Sequence, residues 1–258
     1  MHHHYRNILL IIIQLVTFSA CDPCNTKLQS GILLTFDDRN MLNWENHIPL
    51  FSKYNAHVTF FIDRFDELSY EQISALNKLK DAGHTIGCHG LRHIKAAEYS
   101  EQYSVDQYIS EEILPAIKVM KDKGFYPSCF AYPNSNHNSD TDEALLKHFR
   151  YLRSGTGVQG EIIKTSNVFV KTSEISGGRR LDGLSFHPKS VTDDLVVQLK
   201  AAMERLSNEE ELLVLYAHDI RAPWEEGPKN FITTEALEEV LKYAYSKNIK
   251  FYSFDELP

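Results

Sequence analysis

The chain has 258 residues, 43% of them hydrophobic and 24% charged, the balance of a soluble globular protein whose core needs no disulfide or metal staple. Its formal charge is −8, and the longest basic patch is Gly177-Gly178-Arg179-Arg180, which reads as an exposed turn. Nucleic acid is therefore excluded as the expected partner, because phosphate binding needs a basic surface.

Residues 1–20 have the pattern of an export signal. Arg6 precedes an apolar run from Ile8 to Phe18, broken by Gln14 and Thr17, and the small residues Ser19 and Ala20 follow. The run is shorter than the ~20 residues that span a bilayer. Cys21 comes next, and the arrangement resembles a bacterial lipoprotein signal in which that cysteine is lipidated. Phe18 stands where leucine is commoner. The expected location is the bacterial cell envelope, on a periplasmic or outer-membrane face and held to the membrane by the lipid alone; plain secretion is the alternative. With Cys21 lipidated, Cys24, Cys88 and Cys129 remain. Buried free thiols are expected for the last two, and a Cys88–Cys129 bridge would require adjacent strands.

A polar linker, 21–30, leads to a single domain over 31–258. Gly31 to Phe36 and His57 to Asp63 have the apolar, β-branched and aromatic content of buried strands. Between them, Asn43 to Tyr54 has helical spacing of apolar residues. Ser69 with Gln72 forms a capping box for a helix ending at Gly83, and the strand His84 to Cys88 follows. Ser104 to Lys123 is a predicted helix with Ile109, Ile113, Ile117 and Met120 on one face, closed by Gly124 and kinked at Pro115. Further strands are expected at 128–132, 151–154, 211–217 and 249–254, and further helices at 140–148, 191–206 and 233–246. The pattern over 162–175 fits neither.

Strands alternating with helices imply parallel pairing through right-handed crossovers. About seven such units point to an α/β fold with a closed or nearly closed barrel. A doubly wound sheet is the alternative, although no glycine-rich dinucleotide fingerprint follows the first strand. Either architecture puts function at the C-terminal ends of the strands.

Those ends carry the chemistry-bearing residues. Asp37-Asp38 follows the first strand. His89 and His93, four apart, follow the third and can chelate one ion; with a carboxylate they form a set that leaves positions open for water. The strand ending at Tyr132 leads into Pro133-Asn134-Ser135-Asn136-His137-Asn138. The run Leu212 to Ala217 ends in His218-Asp219. Taken singly, the Asp pair could be a capping turn and His218 a core histidine. Four polar strand ends in one chain favour a single site.

With these residues in hand, the chain resembles the polysaccharide deacetylase family, the NodB-homology group or carbohydrate esterase family four. Thr35-Phe36-Asp37-Asp38 corresponds to its first motif, His89 to His93 to its second, Phe130 to Asn138 to its third and Leu215 to His218 to its last. The resemblance runs from about Gly31 to Phe254. It implies a distorted (β/α) barrel and the hydrolysis of N- or O-acetyl groups on carbohydrate polymers, so that the partner is an acetylated poly- or oligosaccharide. It also implies that Asp38, His89 and His93 hold a divalent ion, usually Zn2+, with Co2+ or Ni2+ as options. Asp37 would take a proton from the attacking water, and His218 would protonate the leaving group. The backbone N–H of Asn134 would face the developing oxyanion, with Tyr132 and Pro133 shaping the substrate site.

Three departures stand out. Ala131 occupies the place where the third motif commonly has an arginine that pairs with the base, so that either another cation, with Arg153 as a candidate, orients Asp37 or activity is low. Ser135 stands where that motif usually has glycine. No Asp-x-x-x-Trp fourth motif is present; the tryptophans are Trp44 and Trp224. The competing readings are a hydrolase of this fold acting on a small amide, and a non-catalytic glycan-binding relative.

Overall fold

The structure, a computed structural model, describes residues 28–156, 160–175, 178–225 and 229–258. The predicted export signal, the lipidation site Cys21 and the linker up to residue 27 lie outside these residues. In chain order the strands are β1 (Gly31–Asp37), β2 (Thr59–Ile62), β3 (Thr85–Cys88), β4 (Cys129–Ala131), β5 (Tyr151–Thr156) and β6 (Phe169–Lys171). They continue with β7 (Arg179–Ser185), β8 (Glu211–Ala217), β9 (Asp219–Arg221), β10 (Phe231–Thr233) and β11 (Lys250–Tyr252). The α-helices are α1 (Met41–Glu45), α2 (Ile48–Lys53), α3 (Tyr70–Asp81), α4 (Ala96–Gln102) and α5 (Val105–Tyr108), then α6 (Leu114–Asp122), α7 (Ser139–Leu145), α8 (Asp194–Asn208) and α9 (Thr234–Ser246). Among the described residues no helix is long and apolar enough to cross a membrane.

Seven strands close into a parallel barrel in the order β1-β2-β3-β4-β5-β7-β8 and back to β1. The distortion has a definite form. One edge of β1 follows β8 from Gly31 to Phe36, while the other takes β11 at Gly31–Leu33 and β2 at Thr35–Asp37. Strand β8 is divided likewise, with antiparallel β6 against Glu211–Leu213 and β7 against Leu215–Tyr216. Extra strands thus splay the N-terminal end, and the seven-strand ring closes only towards the C-terminal mouth.

Alternation along the strands sorts the core into two layers. Leu33, Phe61, Cys129, Tyr151, Leu181 and Val214 pack together inside the barrel. Ile32, Leu34, Phe60, Ile62, Cys88 and Leu215 face outward against helix residues such as Leu76, Leu79, Leu199 and Leu237. Cys88 and Cys129 therefore lie on opposite faces of adjacent strands, and both are free thiols. Burial pushes the Cys88 thiol up to about 12, which rules it out as a nucleophile near neutral pH.

Most expected elements are present, and the Ser69–Gln72 capping box opens α3. Several readings need correction. Arg179-Arg180 is not an exposed turn; it opens β7, a full barrel strand paired with β5 from Tyr151–Arg179 to Thr156–Leu184. The helix expected over 43–54 is two short ones, α1 and α2, with Pro49 in the first turn of the second. The helix expected over 104–123 is interrupted by a π-turn, Ile109–Ile113, directly before Pro115 at the start of α6. A π-turn absorbs the hydrogen bond that proline cannot donate. Helix α8 starts at Asp194, capped by Asp193, rather than at Val191. Residues 162–175 form 3-10 turns and β6.

Candidate active site

The mouth of the barrel brings together residues from β1, β3, β4, β5 and β8. Asp37, Asp38, His89, His93, Tyr132, Asn134, Ser135, Arg153, Tyr216, His218 and Asn230 line one cavity of about 340 Å³. A cavity of about 390 Å³, lined by Asp38, Asp63, Arg64, His93 and His218 among others, adjoins it. A larger one, about 610 Å³, opens at the opposite end of the barrel beside Leu28, Leu206 and Lys247, away from every chemistry-bearing cluster. Seven non-glycine residues among those described have positive φ, and five of them, Asp38, Arg64, His93, Asn134 and Ser135, ring the mouth. Such backbone costs of order 1 kcal/mol or more per residue and concentrates where function requires it.

The donor atoms of Asp38, His89 and His93 all lie within 4.8 Å of one another. His89 Nε2 and His93 Nε2 are 3.8 Å and 3.6 Å from Asp38 Oδ1. Ligands at ~2.1 Å in a tetrahedral shell sit roughly 3.4 Å apart, so the spacing suits zinc or a similar divalent ion. Tautomers agree. His89 Nδ1 donates to the Ala131 carbonyl at 2.8 Å, which leaves Nε2 free to ligate an ion and is the support usual for a metal-bound imidazole. His89 is buried and Asp38 is 42% exposed, so an ion could enter from the Asp38 side. Burial, followed by the neighbouring His89, lowers the pKa of His93 and favours the neutral, ligating form.

Asp37 points inward from the end of β1 and is 3% exposed. Its Oδ2 accepts a hydrogen bond from Arg153 Nη2, and its buried Oδ1 has no hydrogen-bond partner among the described residues. Burial raises the Asp37 pKa, but Arg153, His89 and His218 together outweigh it and hold the carboxyl ionised. Of the two alternatives that Ala131 leaves open, the structure favours the first: Arg153 is in contact with Asp37. The register explains how: Ala131 on β4 pairs directly with Arg153 on β5. The guanidinium lies over the Tyr216 ring, 4.8 Å from its centroid, and a side chain on Gly183 would press on Arg153 Cδ at 3.3 Å.

His218 follows β8. Its carbonyl accepts from Trp44 Nε1 at 2.9 Å and its Nδ1 lies 3.0 Å from His187 Nε2. Asn134 lines the cavity at φ 53. Tyr132 is buried at 1%, presents an edge to the cavity and donates its hydroxyl to Asp142 at 2.8 Å; Pro133 is buried beside it. Trp224 is 79% exposed on the segment after β9.

Besides Arg64 and Asn230, which line the cavities, two residues around the site have no counterpart in the sequence pattern. His187 is one, and the dipeptide Phe186-His187 beyond an unrecognised strand was its only signal. Glu112 is the other. It is fully buried on the π-turn, and its Oε1 accepts from the backbone N–H of Arg92 at 2.8 Å and of Ile94 at 3.3 Å, one on each side of His93. Arg92 Nε donates to Oε2 at 3.2 Å. Gly90 is required by the same contact, because a Cβ there would meet Glu112 Oε1 at 2.6 Å. Glu112→Ala is expected to weaken zinc binding roughly 10–100-fold, the usual loss when an outer partner of a metal ligand is removed, with Glu112→Gln recovering most of it. Calorimetric titration with zinc checks this, and equal affinities in all three proteins would refute the clamp.

The family model of polysaccharide deacetylases matches residues 25–151. No curated protein matches the chain. Among solved structures, a CE4 esterase of Streptococcus mutans is 18% identical, covers 88% of this chain and 87% of its own, and has a TM-score of 0.56. A family 4 acetyl xylan esterase from Clostridium thermocellum, solved with a cobalt ion, is 20% identical, covers 87% and 88%, and has a TM-score of 0.53. A peptidoglycan deacetylase from Bacillus subtilis is 17% identical over 88% and 89%, with a TM-score of 0.50. At these identities the likeness is one of fold.

Proposed function

Starting from the polysaccharide deacetylase family, to which residues 25–151 belong, we propose that the protein is a divalent-metal-dependent hydrolase that removes N- or O-linked acetyl groups from a carbohydrate polymer. The observation that carries this reading is the buried Oδ1 of Asp37, unpartnered among the described residues, in the same cavity as the Asp38–His89–His93 set and His218. Asp38, His89 and His93 would hold the ion. When bound, a divalent ion polarises the acyl carbonyl and makes an attacking water more acidic. Asp37, kept ionised by Arg153, takes the proton of that water on the oxygen that Arg153 does not occupy. The backbone N–H of Asn134 is the candidate donor to the oxyanion, with Tyr132 and Pro133 fixing the loop that carries it. His218 gives a proton to the departing amine or alcohol. The motive for a non-catalytic glycan-binding reading weakens, because Arg153 supplies the cation that Ala131 lacks.

Zinc is the proposed ion, and lipid anchoring through Cys21 in a bacterial envelope is the proposed location; the supports are the donor chemistry and the sequence of residues 1–21. The test is acetate release from acetylated chitooligosaccharides, xylan and peptidoglycan, before and after chelation. Release should stop with chelator and return with zinc, and unchanged release under chelation refutes the reading. Fractionation of the same cells should find the protein in membranes, and Cys21→Ser should shift it out.

A further inference from the structure

The catalytic reading leaves His187 unused. Strands β7 and β8 pair Ser185 with Tyr216, so two residues further on His187 and His218 arrive at one level of the mouth. Their rings stack with centroids 5.1 Å apart and an interplanar angle of 28°. His187 Nε2 is 3.0 Å from His218 Nδ1, and His187 Nδ1 is 3.0 Å from Ser185 Oγ. A proton therefore has one continuous path of contacts, Ser185–His187–His218, ending at the cavity that His218 lines.

Two neighbouring imidazoles cannot readily both be charged, and one of them is disfavoured. Burial, then His218 and Lys189, push His187 down to about 4. Neutral His187 carries a single N–H. With that hydrogen on Nδ1 and given to Ser185 Oγ, its Nε2 accepts from His218 Nδ1–H. His218 Nε2 is then the nitrogen left for the substrate, and Nδ1 cannot compete for the role. Of the other charges facing the pair, Asp38 lines the same cavity as His218 and belongs to the candidate metal set, and the rest are engaged. Asp37 is bound by Arg153, and Asp219, which follows His218, is bound by Asn43 and Arg221. Lys189 donates to the carbonyls of Lys229 and Phe231.

We infer that His187 is the positioning residue of His218, a neutral acceptor that fixes the orientation of its ring and keeps its Nε2 for the substrate. The inference takes from the proposed function the role of His218 as proton donor. A carboxylate beside His218 would stabilise the imidazolium and make it slower to surrender its proton; a neutral imidazole orients without that penalty.

The experiment compares His187→Gln, His187→Glu and His187→Leu with the parent protein. The His218 ring is titrated by NMR in the metal-free protein, and the alkaline limb of kcat/KM for acetate release is followed in the zinc form. Glutamine offers a neutral acceptor and should keep both the titration and the limb. Glutamate has the same shape with a charge, and should move both upward by about one pH unit or more. Leucine should lower kcat by roughly 10–100-fold with KM little changed, as expected for a proton donor out of position. A His187→Glu protein whose His218 titrates as in the parent, or a His187→Leu protein with parental kcat, would overturn the inference. The NMR arm needs no substrate, so absence of turnover on every glycan would count against the deacetylase reading alone.

Discussion

Asp37→Asn is expected to lower kcat for acetate release by about 10²–10⁴-fold while zinc content stays that of the parent. The amide has the shape of the carboxylate and can still accept from Arg153, but it cannot take a proton. None of the three donor atoms of the candidate metal set belongs to Asp37, so a bound ion would have no reason to leave. Steady-state kinetics with metal analysis on the same sample check both halves. Activity within tenfold of the parent would show that another group takes the proton.

The second large effect is on stability. Arg153 is among the largest fully buried side chains, and Asp37 is its ionic partner. Arg153→Met fills much of the same space but leaves an ionised carboxylate buried without its cation. Losing one member of such a pair costs about 3–5 kcal/mol. The sign of the pH effect follows from the balance on Asp37 in the metal-free protein. With Arg153 present its pKa lies below the ordinary 3.8, so the pair adds stability above that pH and loses it on acidification through the lowered folded-state value. Without Arg153 burial, the largest influence, faces a weaker opposition from His89 and His218, and the folded-state value rises. Urea denaturation should therefore find Arg153→Met much less stable than the parent near pH 7, with the deficit narrowing as the pH falls. Asp37→Asn combined with Arg153→Met should recover most of the loss at pH 7 and none of the activity. A deficit independent of pH would mean that lost packing, rather than the stranded charge, causes the instability.

The parts of this site that could be read from sequence share one property: each announces itself locally. Asp37-Asp38 follows an apolar strand directly, His89 and His93 lie within one turn of chain, and His218 closes the run Leu212–Ala217. The barrel was legible for a similar reason, since most of its strands have apolar side chains on both faces. Strand β7 hides because it lacks that signature. Its inward positions after Leu181 are Gly183 and Ser185, and its outward Arg180 bonds Asp142 and His137 of the neighbouring segment and Asp182 of its own strand rather than packing on an apolar helix. With β7 unrecognised, His187 had no strand end to belong to. Glu112 was hidden by a different effect. The helical pattern around it predicts one regular face of Ile109, Ile113, Ile117 and Met120, whereas the π-turn resets the register and buries Glu112 beside Ile113. No local pattern distinguishes a carboxylate aimed at the His93 loop from one in water.

The pairing of Ala131 with Arg153 has a consequence for how such chains diverge. Two positions opposite each other on adjacent parallel strands are one place in space and, here, 22 residues apart along the chain (153 − 131). A guanidinium can therefore change its strand of origin while its charged end remains beside the same carboxylate. To a linear motif the exchange is a loss at one site and an unrelated arginine at another. On the sheet it is a conservative replacement, and the two positions should vary together: an arginine in one calls for a small residue in the other, since the barrel interior has room for a single such side chain beside Phe61 and Tyr216.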